Sequence, residues 1–406
     1  MGTMITKEFI RKIPKTDLHL HLDGSLRLST LIELAKDQGV SLPSYTEAGL
    51  CETIFKEKYA NLIEYLEGFR FTTAVMSTPE AIERVTFELV EDIIAEGVRY
   101  AEIRFAPQLH ICDNMPIEKV VHAVSRGIEH AKSAFNKTLR NGNDIPFECG
   151  IIVCAMRSFN KYMGSYYANL LRNLSNIPKK DVYALASLEL ARSVVHFTKE
   201  DGLPIVGFDI AGQEAGYPAV NHKTAYQYLH NHFILKTVHA GESYGPESIF
   251  QAITECHANR IGHGTHLFAK DKIADPEIEE PAVYVNALAE YIANQRIPLE
   301  VCLTSNMQTI PEIEKVSNHP IGKMIEHNLA VSICTDNRLV SHTSVSRELE
   351  LLVSNFNVGK RELKNIVLAG FKGAFYPGSY NEKRNYVRQV INRYKMVEQE
   401  ESTLKD

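Results

Sequence analysis

Short apolar runs that end in polar clusters recur along the 406-residue chain, separated by stretches whose apolar residues fall three and four apart. Runs of the first kind read as buried strands and the second spacing as amphipathic helices. Eight strands are predicted, over 16–23, 98–107, 148–157, 204–212, 236–242, 260–264, 298–306 and 330–337. Helices are predicted between them, most clearly from Pro79 to Glu96 and from Ile117 to Lys137. This alternation is the signature of βα units around a parallel sheet. Eight units suit a single closed (β/α)8 TIM-type barrel, in which functional groups collect at the carboxyl ends of the strands. An open doubly wound sheet is the competing fold. It is disfavoured because Asp23-Gly24-Ser25, after the first strand, is not a G-x-G-x-x-G phosphate turn.

Residues 24–97 are too long for one crossover and are expected to hold several helices. Two further stretches look like helical insertions, Phe159 to Lys180 and Leu267 to Gln295, and the charged tail from Glu398 to Asp406 is expected to fray. No linker divides the chain, so residues 1–406 are read as one barrel domain, with a core over 13–380 and a C-terminal helix and tail over 381–406.

Composition narrows the function. With 44% hydrophobic and 23% charged residues the chain can bury a large core. A net charge of −6 argues against a nucleic-acid partner. No run approaches the roughly 20 apolar residues that span a bilayer, so no membrane partner is expected. The polar start, Met1 to Glu8, lacks a secretory apolar core. Seven cysteines, odd in number and without a CxxC pair, point to a reduced, cytoplasmic protein.

The chemistry sits at the strand ends. His19 and His21 are two apart on a predicted strand, so both face one side while Leu18, Leu20 and Leu22 face the other. Two imidazoles on one face suit zinc, which keeps an open position for water when catalytic. H-x-H alone is a weak signal. However, His239 and Asp336 also end predicted strands, on units five and eight, and barrel closure would bring them towards unit one. Singly, His239 reads as a core histidine and Asp336 as the N-cap of the next helix. Together the four are expected to hold one zinc ion per chain. A second metal is not expected, because Phe208-Asp209-Ile210-Ala211-Gly212 supplies no bridging lysine. The H-x-E with P-C-x-x-C zinc pattern is also absent.

The combination of Thr16-Asp17-Leu18-His19-Leu20-His21-Leu22-Asp23-Gly24, His239-Ala240-Gly241-Glu242, Arg260-Ile261-Gly262-His263-Gly264, Ser305-Asn306 and Thr335-Asp336-Asn337 resembles the adenosine deaminase family. The resemblance runs from about Ile13 to beyond strand eight. It implies zinc-dependent hydrolysis of a cyclic amidine C–N bond: adenosine, and 2′-deoxyadenosine, would become inosine or 2′-deoxyinosine plus ammonia, a step of purine salvage. Glu242 would be a protonated carboxyl that supplies purine N1, which requires a raised pKa. His263 would sit beside the attacking water, either to take its proton or to stabilise the developing oxyanion; Asp336 could share the first role. Asp23 would accept from the ribose 5′-hydroxyl, the Gly212 amide would donate to N3, and Asn337 would donate to N7 without needing protonation. Leu62, Tyr65, Leu66 and Phe69, at helical spacing, would form an apolar lid, or else an ordinary core-facing stripe. The alternatives are deamination of another 6-aminopurine, such as adenine or an N6-modified nucleoside, and a catalytically silent binding protein. Oligomeric state is not readable from the sequence.

Overall fold

The computed structural model describes residues 5–139 and 144–403. Its strands are β1 (Lys15–His21), β2 (Val98–Phe105), β3 (Glu148–Met156), β4 (Ile205–Ala211), β5 (Leu235–Ala240), β6 (Arg260–His263), β7 (Leu299–Val301) and β8 (Val331–Ile333). All neighbours pair in parallel, in sequence order from β1 to β8. The ends meet through two main-chain bonds of 2.8 Å, Asp336 N to His19 O and His21 N to Asp336 O. The expected (β/α)8 barrel is therefore present, and its last seam is closed by the backbone of a candidate ligand.

Local sequence explains the crossover helices. Helix Pro79–Ala95 starts where Thr78 Oγ1 accepts from Ala81 N, with proline at the first helical position. Helix Ile117–Asn136 buries one stripe that includes Val120, Val121, Val124, Ile128 and Ala131. Residues 24–97 do hold several helices, including Leu28–Gln38, Leu62–Leu66 and Phe69–Val75. Leu18, Leu20 and Leu22 are buried against this outer layer, as the alternation on β1 requires.

Four expectations need correction. The seventh strand stops at Val301, and Leu303–Thr309 is a short helix. Buried Glu348 takes the Thr304 N–H at 3.1 Å and the Thr304 hydroxyl, which favours a helical start over continued strand. The eighth strand stops at Ile333, because Asp336 turns into the left-handed region with φ 64°. The stretch 267–295 is not all insertion, since Pro281–Gln295 is the crossover helix between β6 and β7. The expected C-terminal helix runs from Tyr380 to Thr403, so the charged tail continues it as far as Thr403, where Glu398 pairs with Lys364 and Glu401 with Lys360; residues 404–406 lie outside the described residues. The stretch 159–180 is an insertion with its own small apolar cluster around Phe159, Tyr167 and Tyr183.

Candidate functional site

A cavity of about 600 Å³ opens at the carboxyl ends of the strands. His21, Asp23, His239, Glu242, His263, Asp336 and Asn337 line its floor and walls, with Gly212, Leu62, Tyr65, Leu66 and Phe69. His19 lies directly beneath and is fully buried. Every site residue expected from the sequence thus lies in or against one cavity.

At the floor, side-chain nitrogen and oxygen atoms converge. His21 Nε2 is 3.4 Å from His239 Nε2, and Asp336 Oδ1 is 3.6 Å from His19 Nε2 and 3.5 Å from His21 Nε2. His19 Nε2 is buried with no hydrogen-bond partner. Burial and the neighbouring histidines and Arg104 hold His19 and His21 well below the usual imidazole range, so both rings are neutral rather than cationic. Imidazole nitrogens gathered beside a carboxylate fit a cation, and nitrogen with one oxygen suits zinc.

Behind the ligands, a charged layer crosses the barrel interior. His19 Nδ1 lies 2.9 Å from Glu300 Oε2, and His239 Nδ1 lies 2.9 Å from Asp209 Oδ2. Arg104 joins the two carboxylates, reaching Asp209 at 2.7 Å and Glu300 at 2.8 Å. Arg260 pairs with Glu300 at 2.6 Å and with Glu102. The arginines hold Glu300 down, to a pKa of about 2, against the upward push of burial. Such carboxylates fix the tautomer and orientation of metal-binding histidines. This layer was not assigned from the sequence, although a signal existed: Asp209 and Glu300 are charged positions inside otherwise apolar strands.

Close backbone approach makes the layout possible. A Cβ on Gly262 would stand 3.1 Å from His19 Cε1 and 3.2 Å from the His239 Cα, tighter than ordinary contact, so glycine here lets β6 approach both histidines closely. His263 follows with φ 63°, which directs its ring into the site.

Glu242 is buried, and burial together with Asp336 and Glu214 raises its carboxyl to about 8. Its Oε1 is 3.8 Å from His263 Nε2. The turn carrying it is held from both sides. Glu214 accepts the N–H groups of Gly241, Glu242, Ser243 and Tyr244 at 2.6–3.0 Å, and Arg157 donates to the His239 carbonyl. Neither residue was singled out from the sequence, where each reads as an ordinary loop or strand-end charge.

Asp23 is also buried, with Oδ1 unpaired, and burial raises its carboxyl to about 7. Asp336 is no helix N-cap, since Ser344 caps the following helix, Val345–Asn355. Ser305 Oγ donates to Asp336 Oδ2 at 2.5 Å, and Asn306 Nδ2 lies 3.1 Å from His263 Nδ1, which gives the Ser-Asn pair on unit seven its place. Asn337, the expected N7 donor, is hydrogen-bonded within the protein. Its Nδ2 already donates to Tyr65 Oη at 2.9 Å and to Asp336 Oδ1 at 2.7 Å. The stretch expected to form a lid or a core-facing stripe is two short helices broken at Glu67-Gly68, Leu62–Leu66 and Phe69–Val75, rather than one. Tyr65 is fully packed, while Leu62, Leu66 and Phe69 are half-buried at the mouth.

Comparison with known proteins agrees with this geometry. The chain is 37% identical to adenosine deaminase 1 of Streptomyces coelicolor over 94% of its own length and 87% of the relative's. Among solved structures it resembles an amidohydrolase with bound zinc from Burkholderia ambifaria, with a TM-score of 0.78, 20% identity and coverage of 99% and 97% of the two chains. It also resembles an adenine deaminase from Arthrobacter aurescens, with a TM-score of 0.73, 22% identity and coverage of 94% and 99%. The family model described as adenosine deaminase matches residues 14–176 and 179–393, and with it the chain belongs to the adenosine deaminase family.

Proposed function

We propose that the protein deaminates adenosine, and 2′-deoxyadenosine, by zinc-dependent hydrolysis to the inosine counterpart and ammonia, in cytoplasmic purine salvage. The observation that carries this reading is a buried carboxyl, Glu242, kept neutral near pH 7 and facing a cluster of three histidines and an aspartate. His19, His21, His239 and Asp336 would hold one zinc ion, whose Lewis acidity makes water a nucleophile near neutral pH.

The chain's own residues do the rest. Attack at C6 builds charge on N1, and Glu242 gives its proton there; as a buried acid it is poised to donate. Glu214 and Arg157 keep the Glu242 turn fixed on His239. Asp23, with an unpaired buried oxygen, takes a ribose hydroxyl, which favours a nucleoside over a free base. Gly212 presents its amide to N3. Asn337 donates to N7 by turning towards substrate the hydrogen that now points at Tyr65. The two short helices over 62–75 cover the ribose side and exclude water. The whole chain works as one catalytic domain, supported by an apolar core that runs from Phe9 to Val397. No helix among the described residues is long and apolar enough to cross a membrane, and the substrate is a small purine rather than a macromolecule.

Metal analysis and an adenosine assay on the same sample test the reading. One zinc per chain and conversion of adenosine to inosine are expected, with adenosine preferred over adenine, AMP and N6-methylated nucleosides. Preference for the free base would overturn the role given to Asp23. Absence of both metal and turnover would favour a binding protein.

A further inference from the structure

Two residues behind His263 settle a question of proton position. His319, buried at 3% exposure, lies in the segment before helix Ile321–Glu326. Its Nδ1 is 3.1 Å from the backbone N–H of Ile321. Its Nε2 is 3.1 Å from Asn306 Oδ1, and Asn306 Nδ2 is 3.1 Å from His263 Nδ1.

The direction of each bond follows from one fixed donor. A backbone N–H can only donate, so His319 Nδ1 must accept and carries no proton. Neutral His319 therefore has its hydrogen on Nε2, where it donates to Asn306 Oδ1. Burial, which lowers the His319 imidazole to about 3, agrees with the neutral form. With its oxygen turned to His319, Asn306 presents its NH2 to His263, and an amide NH2 can only donate. His263 Nδ1 must then accept, and the neutral ring carries its hydrogen on Nε2. Reversing the Asn306 amide would require a hydrogen on His319 Nδ1, facing the Ile321 N–H donor. That reversal is closed off by the backbone. The amide orientation, normally ambiguous between oxygen and nitrogen, is thus fixed by its surroundings.

We propose that His319 is a positioning residue which, through Asn306, holds the ring hydrogen of His263 on Nε2, the nitrogen facing Glu242, so that His263 acts as a hydrogen-bond donor and not as a base. The proposal rests on the adenosine deaminase reading for the meaning of that donor, but not for its existence. Of the two roles left open for His263, the donor role is retained: Nε2 stabilises negative charge on the attacking oxygen. The role of base then falls to Asp336. A donor aimed in advance at the place where charge develops is the arrangement that lowers a barrier most.

The test reads the hydrogen directly. Zinc-loaded protein with 15N-labelled histidine is examined by two-bond 15N–1H correlation, and His263 is assigned from its loss in His263→Asn. The expected spectrum shows Nε2–H and a bare Nδ1 on His263. His319→Leu removes the donor to Asn306 and should leave His263 as a mixture of tautomers. Its kcat on adenosine should fall in proportion to the share of His263 that loses the Nε2 hydrogen, by about 2-fold to 10-fold, with little change in KM or zinc content. His319→Gln, whose amide can still donate to Asn306, should restore both. Nδ1–H on wild-type His263 overturns the proposal, as does a His319→Leu protein with unchanged tautomer and kcat. If His319→Leu does not fold, the wild-type spectrum decides by itself. If the wild type does not deaminate adenosine, the functional reading fails while the tautomer stands or falls by the spectrum.

Discussion

Gly24→Ala is a one-carbon change whose effect can be worked from the structure. A Cβ on residue 24 would stand 1.9 Å from Asn337 Oδ1, 2.6 Å from its Cγ and 2.8 Å from its Cβ. No contact at such distances survives, so Asn337 must rotate. Its Nδ2 then leaves Asp336 Oδ1 and no longer offers N7 the hydrogen that points at Tyr65 Oη in the free protein. A neutral hydrogen bond is worth about 0.5–1.5 kcal/mol and one to a charged group about 1.5–3, so the loss is roughly 2–4 kcal/mol. Felt in full in the transition state, at about 1.4 kcal/mol per factor of ten, kcat/KM for adenosine falls by roughly 30-fold to 10³-fold. Zinc content should hold, because Ser305 still bonds Asp336 at 2.5 Å. Steady-state kinetics and metal analysis on one preparation measure both quantities. The control is Asn337→Ala, which removes Oδ1 and Cγ and leaves only the 2.8 Å contact at Cβ. Adding Gly24→Ala to it should cost far less than in the wild type. Additive costs, or a single variant within about twofold of wild type, would refute the reasoning that Gly24 acts through Asn337.

Other outcomes follow from the same site. Glu242→Gln should lower kcat by about 10²-fold to 10⁴-fold while keeping zinc, and near-native turnover would exclude the protonation role. Because the donor is the neutral carboxyl, kcat/KM should decline as pH rises through about 8, where Glu242 loses its proton; a flat profile up to pH 9 or so would count against it. Arg104→Met leaves Asp209 and Glu300 buried without the cation between them; a destabilisation of about 3–5 kcal/mol is expected in denaturant unfolding, and none would mean the network is dispensable. A chelator should lower the midpoint of thermal unfolding and added zinc should restore it, since an ion bound only by the native state adds about 2.7 kcal/mol at a hundred times its dissociation constant. An unmoved midpoint would mean the four donors hold no tight ion.

Much of the barrel was legible because alternation is a local property. Leu18, Leu20 and Leu22 against His19 and His21 announce a strand with one apolar and one chemical face, and the structure buries them that way. Helix limits at Pro79 and Ile117 were readable from proline and periodicity. Strand seven was misread because Cys302-Leu303 continues the apolar run, while the Glu348 that turns it into a helix is distant in sequence. The start of the charged tail was misread for a similar reason: its charges are local, while Lys364 and Lys360, which pair with Glu398 and Glu401, are distant in sequence.

The sequence by itself determined the set of candidate groups: two histidines at strand spacing, a third with glutamate three residues on, and an aspartate beside an asparagine. These are short-range patterns, and the roles expected for them come from the family resemblance and from the strand ends that barrel closure would bring together. Only the tertiary structure decided how those groups are held and which way their hydrogens point. Arg104 joins Asp209 to Glu300, Glu214 gathers four amides under Glu242, and His319 reaches His263 through Asn306. Each of these links depends on closure of the barrel or packing of its loops, which brings distant residues within hydrogen-bond range. Hydrogen-bond direction is a property of the assembled chain of donors and acceptors, and no single residue carries it.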